Sequence, residues 1–524
     1  MPRSLSRLVP VALAGTAAIA LLTGADTAKP QTQWQARPSE AARVTRVEKT
    51  LPPYALPGGK PTKLTLQQWM ALYKIPGLSV AVFDKGALVW ARSYGVKQSG
   101  GSEPVAIDTL FQAASISKPV TALAVLHEAE QRKWSLDGNL NDLLVSWKVP
   151  DNEFTTKEKV TLRRVLSHNA GLTVHGFPGY AVDEPLPTLK QVLDGQKPAN
   201  TDPIRVDMVP GTETRYSGGG YVVLQQLLID QTKKPFAQEL QEVVLGPLGM
   251  EHSTFEQPLP AARAGNAATA TYASGESVKG RWHVYPEMAP AGLWTTPTDL
   301  TKVALEVLQA RAGKSQRVLS QAMAKQMLTK QSDGYGLGFH VEEGSEEFGH
   351  GGSNEGFQSL LAVFGDARSG VAMMANSDNG AFLFTRIAAA IAKEYGWKGF
   401  DMRRLESPLM TADLIARLQG ADAVLAFFKS MEGKGPGGRG LPPQLLSQVG
   451  YGQLLSGKYA DAIKLLQEAA RLAPADADTH DTLGEAYSKA GQKEQAIASY
   501  RKSLQLDPKN TNAVRMLEKL GAKP

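Results

Sequence analysis

Ser115-Ile116-Ser117-Lys118 sets a hydroxyl and an amine three residues apart, directly before Pro119 and an apolar run. Proline has no N–H and is tolerated only in a helix's first turn, so a helix through Val120, Leu123 and Leu126 must begin close to Ser115. The i, i+3 spacing brings the Lys118 amine to the same face as the Ser115 hydroxyl. The positive end of that helix favours an oxyanion. The chemistry open to such a pair is nucleophilic, a serine with its base one helical turn away. The spacing recurs in Ser499-Tyr500-Arg501-Lys502, read here as part of a solvated repeat helix. A lone match is usually a surface helix, so the case depends on partners elsewhere.

Two partners follow in order. Tyr216-Ser217-Gly218 comes after the turn-like Pro210-Gly211-Thr212 and before the apolar run Val222 to Leu228, which sets a phenol on a loop entering a helix. Phe348-Gly349-His350-Gly351-Gly352-Ser353 leads through Gly356-Phe357 into a strand-like run to Phe364. His350 and its glycines should therefore line a sheet edge where backbone can approach a ligand closely.

With these three elements in order, the chain resembles the serine beta-lactamase and penicillin-binding-protein superfamily, closest to its class C beta-lactamase, esterase and D-aminopeptidase branch. The resemblance runs from about Leu64 to Trp397. It includes Thr109-Leu110-Phe111-Gln112-Ala113-Ala114-Ser115, Leu166-Ser167-His168-Asn169-Ala170-Gly171-Leu172, Gly246-Pro247-Leu248-Gly249-Met250, and the block from Ala291-Gly292-Leu293-Trp294 to Asp299-Leu300. By position it implies that Ser115 is the acylated nucleophile and Lys118 its base partner. Tyr216 stands in the Y-x-N slot, and His350, Gly351 and Gly352 stand in the K-T-G strand motif. The backbone N–H groups of Ser115 and Ser353 would form the oxyanion hole.

Two departures bear on substrate. Gly218 stands where efficient class C enzymes carry Asn, and no Y-x-N occurs in the chain. His350 replaces the usual lysine, and an imidazole of ordinary pKa about 6.5 is mostly neutral where a lysine of about 10.4 is charged. Both changes reduce the expectation of strong antibiotic hydrolysis and favour ester or peptide cleavage. For Lys118 to act as a neutral base near pH 7, its pKa must fall by about 3 units, or about 4 kcal/mol of differential interaction. Tyr216 is the alternative base, since a nearby ammonium would lower its pKa. The spacing does not choose between them.

Other chemistries lack their motifs. No G-x-S-x-G elbow or P-loop is present, and His127-Glu128-Ala129-Glu130-Gln131 lacks the second histidine of H-E-x-x-H, so it reads as an exposed helix patch. No metal site and no cofactor is expected. His168 and His175 flank a glycine-containing loop, where a structural hydrogen-bonding role is the simpler reading. Trp282, Tyr285 and Trp294 read as core.

The elements that must position these residues follow from periodicity. Leu78 to Phe83, the turn Asp84-Lys85-Gly86 and Ala87 to Trp90 form one hairpin, and Ser359 to Phe364 with Val371 to Ala375 forms another. Helical stretches at 119–132, 221–232, 298–311 and 383–394 lie between or after them. The expected fold is α+β, an antiparallel sheet flanked by helices. The resemblance adds an all-helical lobe, with the cleft between lobe and sheet.

The chain has 524 residues, enough for two or three domains. It has no cysteine, which excludes disulfides and thiolate metal sites, and its net charge of +6 is too diffuse to suggest nucleic acid. Arg3, Arg7, the apolar run Val9 to Leu22 and Thr23-Gly24-Ala25 read as a cleaved export signal over residues 1–25, with an uncleaved anchor as the alternative. That implies a periplasmic or extracellular location. Residues 26–61 are expected to be linker, 62–400 the catalytic domain and 401–442 a helical linker in which 414–431 forms one helix. Over 443–524, Gly450, Gly457, Ala462, Leu466 and Pro474 recur 34 positions later as Gly484, Gly491, Ala496, Tyr500 and Pro508. This is the tetratricopeptide period. Two repeats with a capping helix at Ala513 to Leu520 need a partner surface, expected to be the 414–431 helix or the catalytic domain.

Two functions stay open on sequence alone. One is an exported serine hydrolase acting on an ester, a beta-lactam or a D-amino-acid peptide. The other is a catalytically weak scaffold that binds a cell-wall fragment and recruits a protein through the repeats.

Overall fold

The computed structural model describes residues 38–524 apart from 58, 367, 399, 401–404, 406 and 435–439. The export signal expected at 1–25 lies outside the described residues. Among the described residues there are eight strands: β1 Gly77–Asp84, β2 Ala87–Gly95, β3 Phe111–Gln112, β4 Trp294–Thr295, β5 His340–Val341, β6 Glu347–Asn354, β7 Phe357–Phe364 and β8 Ser369–Ala375. Six form one antiparallel sheet in the order β2-β1-β8-β7-β6-β5, and β3 pairs with β4. The β1–β2 hairpin turns at Lys85 and Gly86, both left-handed with φ 53° and 84°. A two-residue turn of that hand matches the natural twist of the strands.

The strand period of two divides the apolar residues between two cores. From β1, Val80 and Val82 face one core while Phe83 faces the other; from β8, Val371 and Met373 face the first while Ala372 and Met374 face the second. The first core is covered by helix Gly380–Tyr395, whose Leu383, Ile387 and Ile391 recur at helical spacing. Each of these buried side chains contributes about 1.5–3 kcal/mol relative to exposure. The second core holds the helices of the all-helical lobe, including Ser117–Arg132 and Gly218–Thr232. The site lies where this lobe meets β6.

The expected linker over 26–61 is corrected by helix Pro38–Lys49, whose Val44 and Val47 are buried in the sheet core. Arg46 pairs with Glu394, and the Tyr395 hydroxyl donates to Glu40, so the helix is fastened to the end of Gly380–Tyr395. The single helix expected at 414–431 is two, Pro408–Gln419 and Ala421–Ser430, broken at Gly420. Its φ of 82° is the left-handed conformation that glycine adopts without a Cβ penalty.

The repeats fold as two helical hairpins, Pro443–Leu455 with Tyr459–Leu472 and Ala477–Lys489 with Lys493–Leu506, capped by Thr511–Lys519. Their small and large positions interlock. A Cβ at Gly450 would lie 2.8 Å from Leu466 Cγ, and one at Gly484 would lie 2.9 Å from the Tyr500 ring. Ser499 is buried in this packing, not solvated as expected. Ala412, Ile415 and Ala416 share a core with Leu446, Val449 and Leu465, so the repeat pair rests on the preceding helices. Arg417 then ties those helices to the catalytic domain, donating to Asn379 Oδ1 at 2.9 Å and lying 4.6 Å above the Tyr73 ring.

Candidate active site

The turn that carries Ser115 is held by three hydrogen bonds to its backbone. Ser115 lies in a single 3-10 turn, Ala114–Ile116, that runs straight into helix Ser117–Arg132. The helix thus begins two residues earlier than Pro119 alone indicates. Ala113 N–H donates to Leu293 O at 2.8 Å, Ser359 Oγ donates to Ala113 O at 2.7 Å, and Ser117 Oγ donates to Ala114 O at 2.5 Å. Ala114 has φ 49°, a left-handed conformation unusual for a residue with a Cβ. Strain of this kind, of order 1–3 kcal/mol, persists where surrounding bonds over-determine the backbone.

Lys118 is 2% exposed, and its Nζ lies 2.9 Å from Ser115 Oγ while donating to Pro290 O at 3.1 Å. Burial lowers its pKa to about 7, so the amine is poised between its two protonation states at neutral pH. The ring of Tyr216 lies 4.7 Å from the same Nζ. Burial pushes the Tyr216 phenol above its ordinary pKa, and a hydrogen-bond interaction with Ser115 offsets part of that rise. The helix after Tyr216 starts where it does because Ser217 caps it, its Oγ accepting from Gly220 N–H at 2.9 Å.

On β6 the side chains alternate, so His350 and Gly352 point inward while Gly351 and Ser353 are exposed. Burial first, and the Lys118 amine second, lower the His350 pKa to about 3. Its Nδ1 lies 2.5 Å from Gly351 O, which requires Nδ1 to carry the proton. The buried Nε2 is then an acceptor, and it has no partner among the described residues. Gly352 allows β6 to press on the nucleophile turn: a Cβ there would lie 2.2 Å from Ala113 O and 2.3 Å from Ser359 Oγ. β5 pairs only with Phe348 and Gly349, so beyond them this edge of β6 has no strand partner among the described residues.

Ser115, Tyr216, His350, Gly351, Gly352 and Ser353 therefore line one cleft of about 710 Å³, with Lys118 beneath it. All seven candidates from the sequence converge. Phe177, Tyr335 and Phe384 also line the cleft and carry no motif that marks them beforehand. His175 lines it too. His168 does have the structural role expected: its Nδ1 accepts from Ser217 N–H at 3.1 Å, and its ring lies 4.3 Å from that of Tyr216. Trp294 and Tyr285 are core, as expected. Glu128 is not an exposed patch residue but is buried against Arg132. Among the described residues no group of three or more His, Cys, Asp or Glu side chains is arranged to hold a metal ion.

Residues 63–395 match the beta-lactamase family model, well over half of the chain. The chain belongs to the beta-lactamase family. Residues 453–520 match a tetratricopeptide-repeat model. Relatives include an unguisins hydrolase of Aspergillus violaceofuscus, 25% identical over an alignment of 358 residues, covering 59% of this chain and 59% of that one. Penicillin-binding protein 4 of Amycolatopsis lactamdurans is 27% identical over 336 residues, covering 60% of this chain and 84% of that one. The first of these is thus matched over less than two thirds of its length. The octameric penicillin-binding protein homologue from Pyrococcus abyssi aligns with a TM-score of 0.53 at 22% identity, covering 66% of this chain and 79% of that one. At that identity the likeness establishes the beta-lactamase fold alone.

Proposed function

We propose that the protein is an exported serine hydrolase that forms an acyl-enzyme at Ser115 on esters or amides lacking a carboxylate beside the scissile bond. The observation that carries the reading is the buried Lys118 amine 2.9 Å from Ser115 Oγ, with its pKa lowered to about 7. A base near the working pH is most effective in proton transfer. Ser115 Oγ attacks the carbonyl carbon as its proton passes to Lys118 Nζ. The N–H groups of Ser115 and Ser353 receive the oxyanion. As the tetrahedral intermediate collapses, the Tyr216 hydroxyl gives its proton to the leaving group and regains one from Lys118. Water then attacks the acyl-enzyme, with Lys118 as base again. Tyr216, kept protonated by burial, is a proton carrier in this scheme and not the first base.

The preference for substrates without a carboxylate rests on His350. A buried, neutral imidazole supplies no cation to a substrate carboxylate, where a lysine in the same slot would. Export rests on Arg3, Arg7 and the apolar run after them; N-terminal sequencing of the mature protein tests it. The hydrolase reading is tested by a fluorescent phosphonate followed by intact mass. Wild type should gain one adduct and Ser115→Ala none, while labelling of a folded Ser115→Ala protein would reject the assignment.

A further inference from the structure

The catalytic cleft does not end at β6. Phe177, Ser353 and Gln358 line it on one side and also line a neighbouring cavity of about 690 Å³ on the other. Gln358 Nε2 donates to Ser353 Oγ at 2.7 Å, forming the sill between the two spaces. The far wall of the second cavity is the repeat pair, through Tyr451, Leu455, Tyr459 and Glu485. Its position is set by the shared core and by Arg417, so this wall is a fixed part of the molecule.

The lining has a definite chemistry. Tyr451, Leu455 and Tyr459 are 45%, 42% and 37% exposed and border this cavity, three of the four large apolar side chains left open on this hairpin, the fourth being Leu472. Four carboxylates line it, Glu276, Glu355, Asp378 and Glu485, against the single ammonium of Lys489. Asp378 is occupied with backbone, accepting from Gly356 N–H at 2.7 Å and Ala273 N–H at 3.1 Å. Glu355 from the catalytic domain and Glu485 from the repeats are the acceptors on opposing walls, and Tyr451 interacts electrostatically with both. Burial raises the carboxyl pKa of Glu355 and Glu485, and that of Asp378 to about 7, a shift that a cation bound among them would oppose. Aromatic faces among carboxylates attract a cation.

Resting on the serine hydrolase reading, we infer that the repeat pair completes the substrate site, forming a second chamber past Ser353 that takes a protonated amine on an apolar stem. The substrate class is then a cationic, peptide-like ester or amide, with its reacting carbonyl at Ser115 and its amine between Glu355 and Glu485. The repeats would act as a specificity element for the reaction itself.

Two measurements on the full-length chain test this separately from the hydrolase reading. In a Ser115→Ala background, which removes turnover, calorimetry at low salt compares N-(6-aminohexanoyl)alaninamide with its 6-hydroxyhexanoyl counterpart. The amine should bind about tenfold tighter, the scale of a charge-assisted contact plus a cation–π contact. Glu485→Gln and, separately, Tyr451→Ala should each lower that ratio at least threefold, and both sites are accessible enough to change without unfolding the repeats. Equal binding of the two compounds, no detectable binding of the amine, or an amine preference untouched by both variants would overturn the chamber. Phosphonate labelling of wild-type Ser115 reports the other half. Amine preference without labelling removes the hydrolase reading alone, and labelling without amine preference removes the chamber alone.

Discussion

His168 grips Tyr216 from both sides along the chain: its carbonyl accepts from Arg215 N–H at 2.8 Å and its Nδ1 from Ser217 N–H at 3.1 Å, while the two rings lie 4.3 Å apart. His168 thus positions the Tyr216 segment from outside the residues that line the cleft. Its own φ of 57° is left-handed, a conformation that asparagine tolerates far better than a branched residue.

His168→Leu should lower kcat by about 10- to 100-fold with a smaller change in KM, because Tyr216 loses its alignment. His168→Asn, which keeps an acceptor and suits the backbone, should recover much of that loss. Steady-state kinetics of both variants checks it; equal losses in the two would mean that His168 matters for packing alone.

Activity should rise with pH through about 7 as Lys118 loses its proton. Stability carries the same sign. The folded-state pKa lies below the unfolded value of about 10.4, so between these limits the unfolded chain binds more protons and stability grows with pH, by about 4 kcal/mol over the whole window. That contribution is lost as pH falls through about 7. Lys118→Met should abolish turnover and flatten this slope in denaturant titrations between pH 6.5 and 10. A slope unchanged in the variant would show that Lys118 is not the group responsible.

His350, held near pKa 3, should stay neutral from pH 5.5 to 8.5. The ratio of kcat/KM for a neutral ester to that for its carboxylate-bearing counterpart should then exceed one and stay constant across that range. This moves the titration expected for an ordinary histidine out of the working window. A ratio that falls toward acid pH would mean that His350 gains a proton there and binds the anion.

Gly352→Ala should cost at least about 100-fold in kcat/KM, because Ala113 O and the Ser359 Oγ bonded to it both meet the new Cβ and β6 must back away from the oxyanion position. Thermal melting should show a loss of several degrees alongside it. Full activity would mean that the approach of β6 to Ala113 has no part in catalysis.

What was legible beforehand was what depends on neighbours in sequence. Ser115 and Lys118 are related by one helical turn, and the hairpins announced themselves by alternation and by Lys85-Gly86. The neutral state of His350 was not legible, because it is set by burial and by a lysine more than two hundred positions away. Val44 and Val47 have helical spacing, yet the surrounding proline and glutamine content hid the helix that carries them. Gly420 is one residue in an otherwise continuous apolar pattern, and only its left-handed backbone shows that the helix stops.

The Arg417 contact has an implication for where the catalytic domain ends. Arg417 pairs with Asp413 and reaches Asn379, whose own amide holds the carbonyls of Tyr73 and Ala273. Excising the C-terminal helices would strand these polar groups and uncover the face of Tyr73. Helix Pro408–Gln419 is thus structurally part of the catalytic domain, and a boundary drawn before it would cost that domain the partner of Asn379 and the cover of the Tyr73 ring.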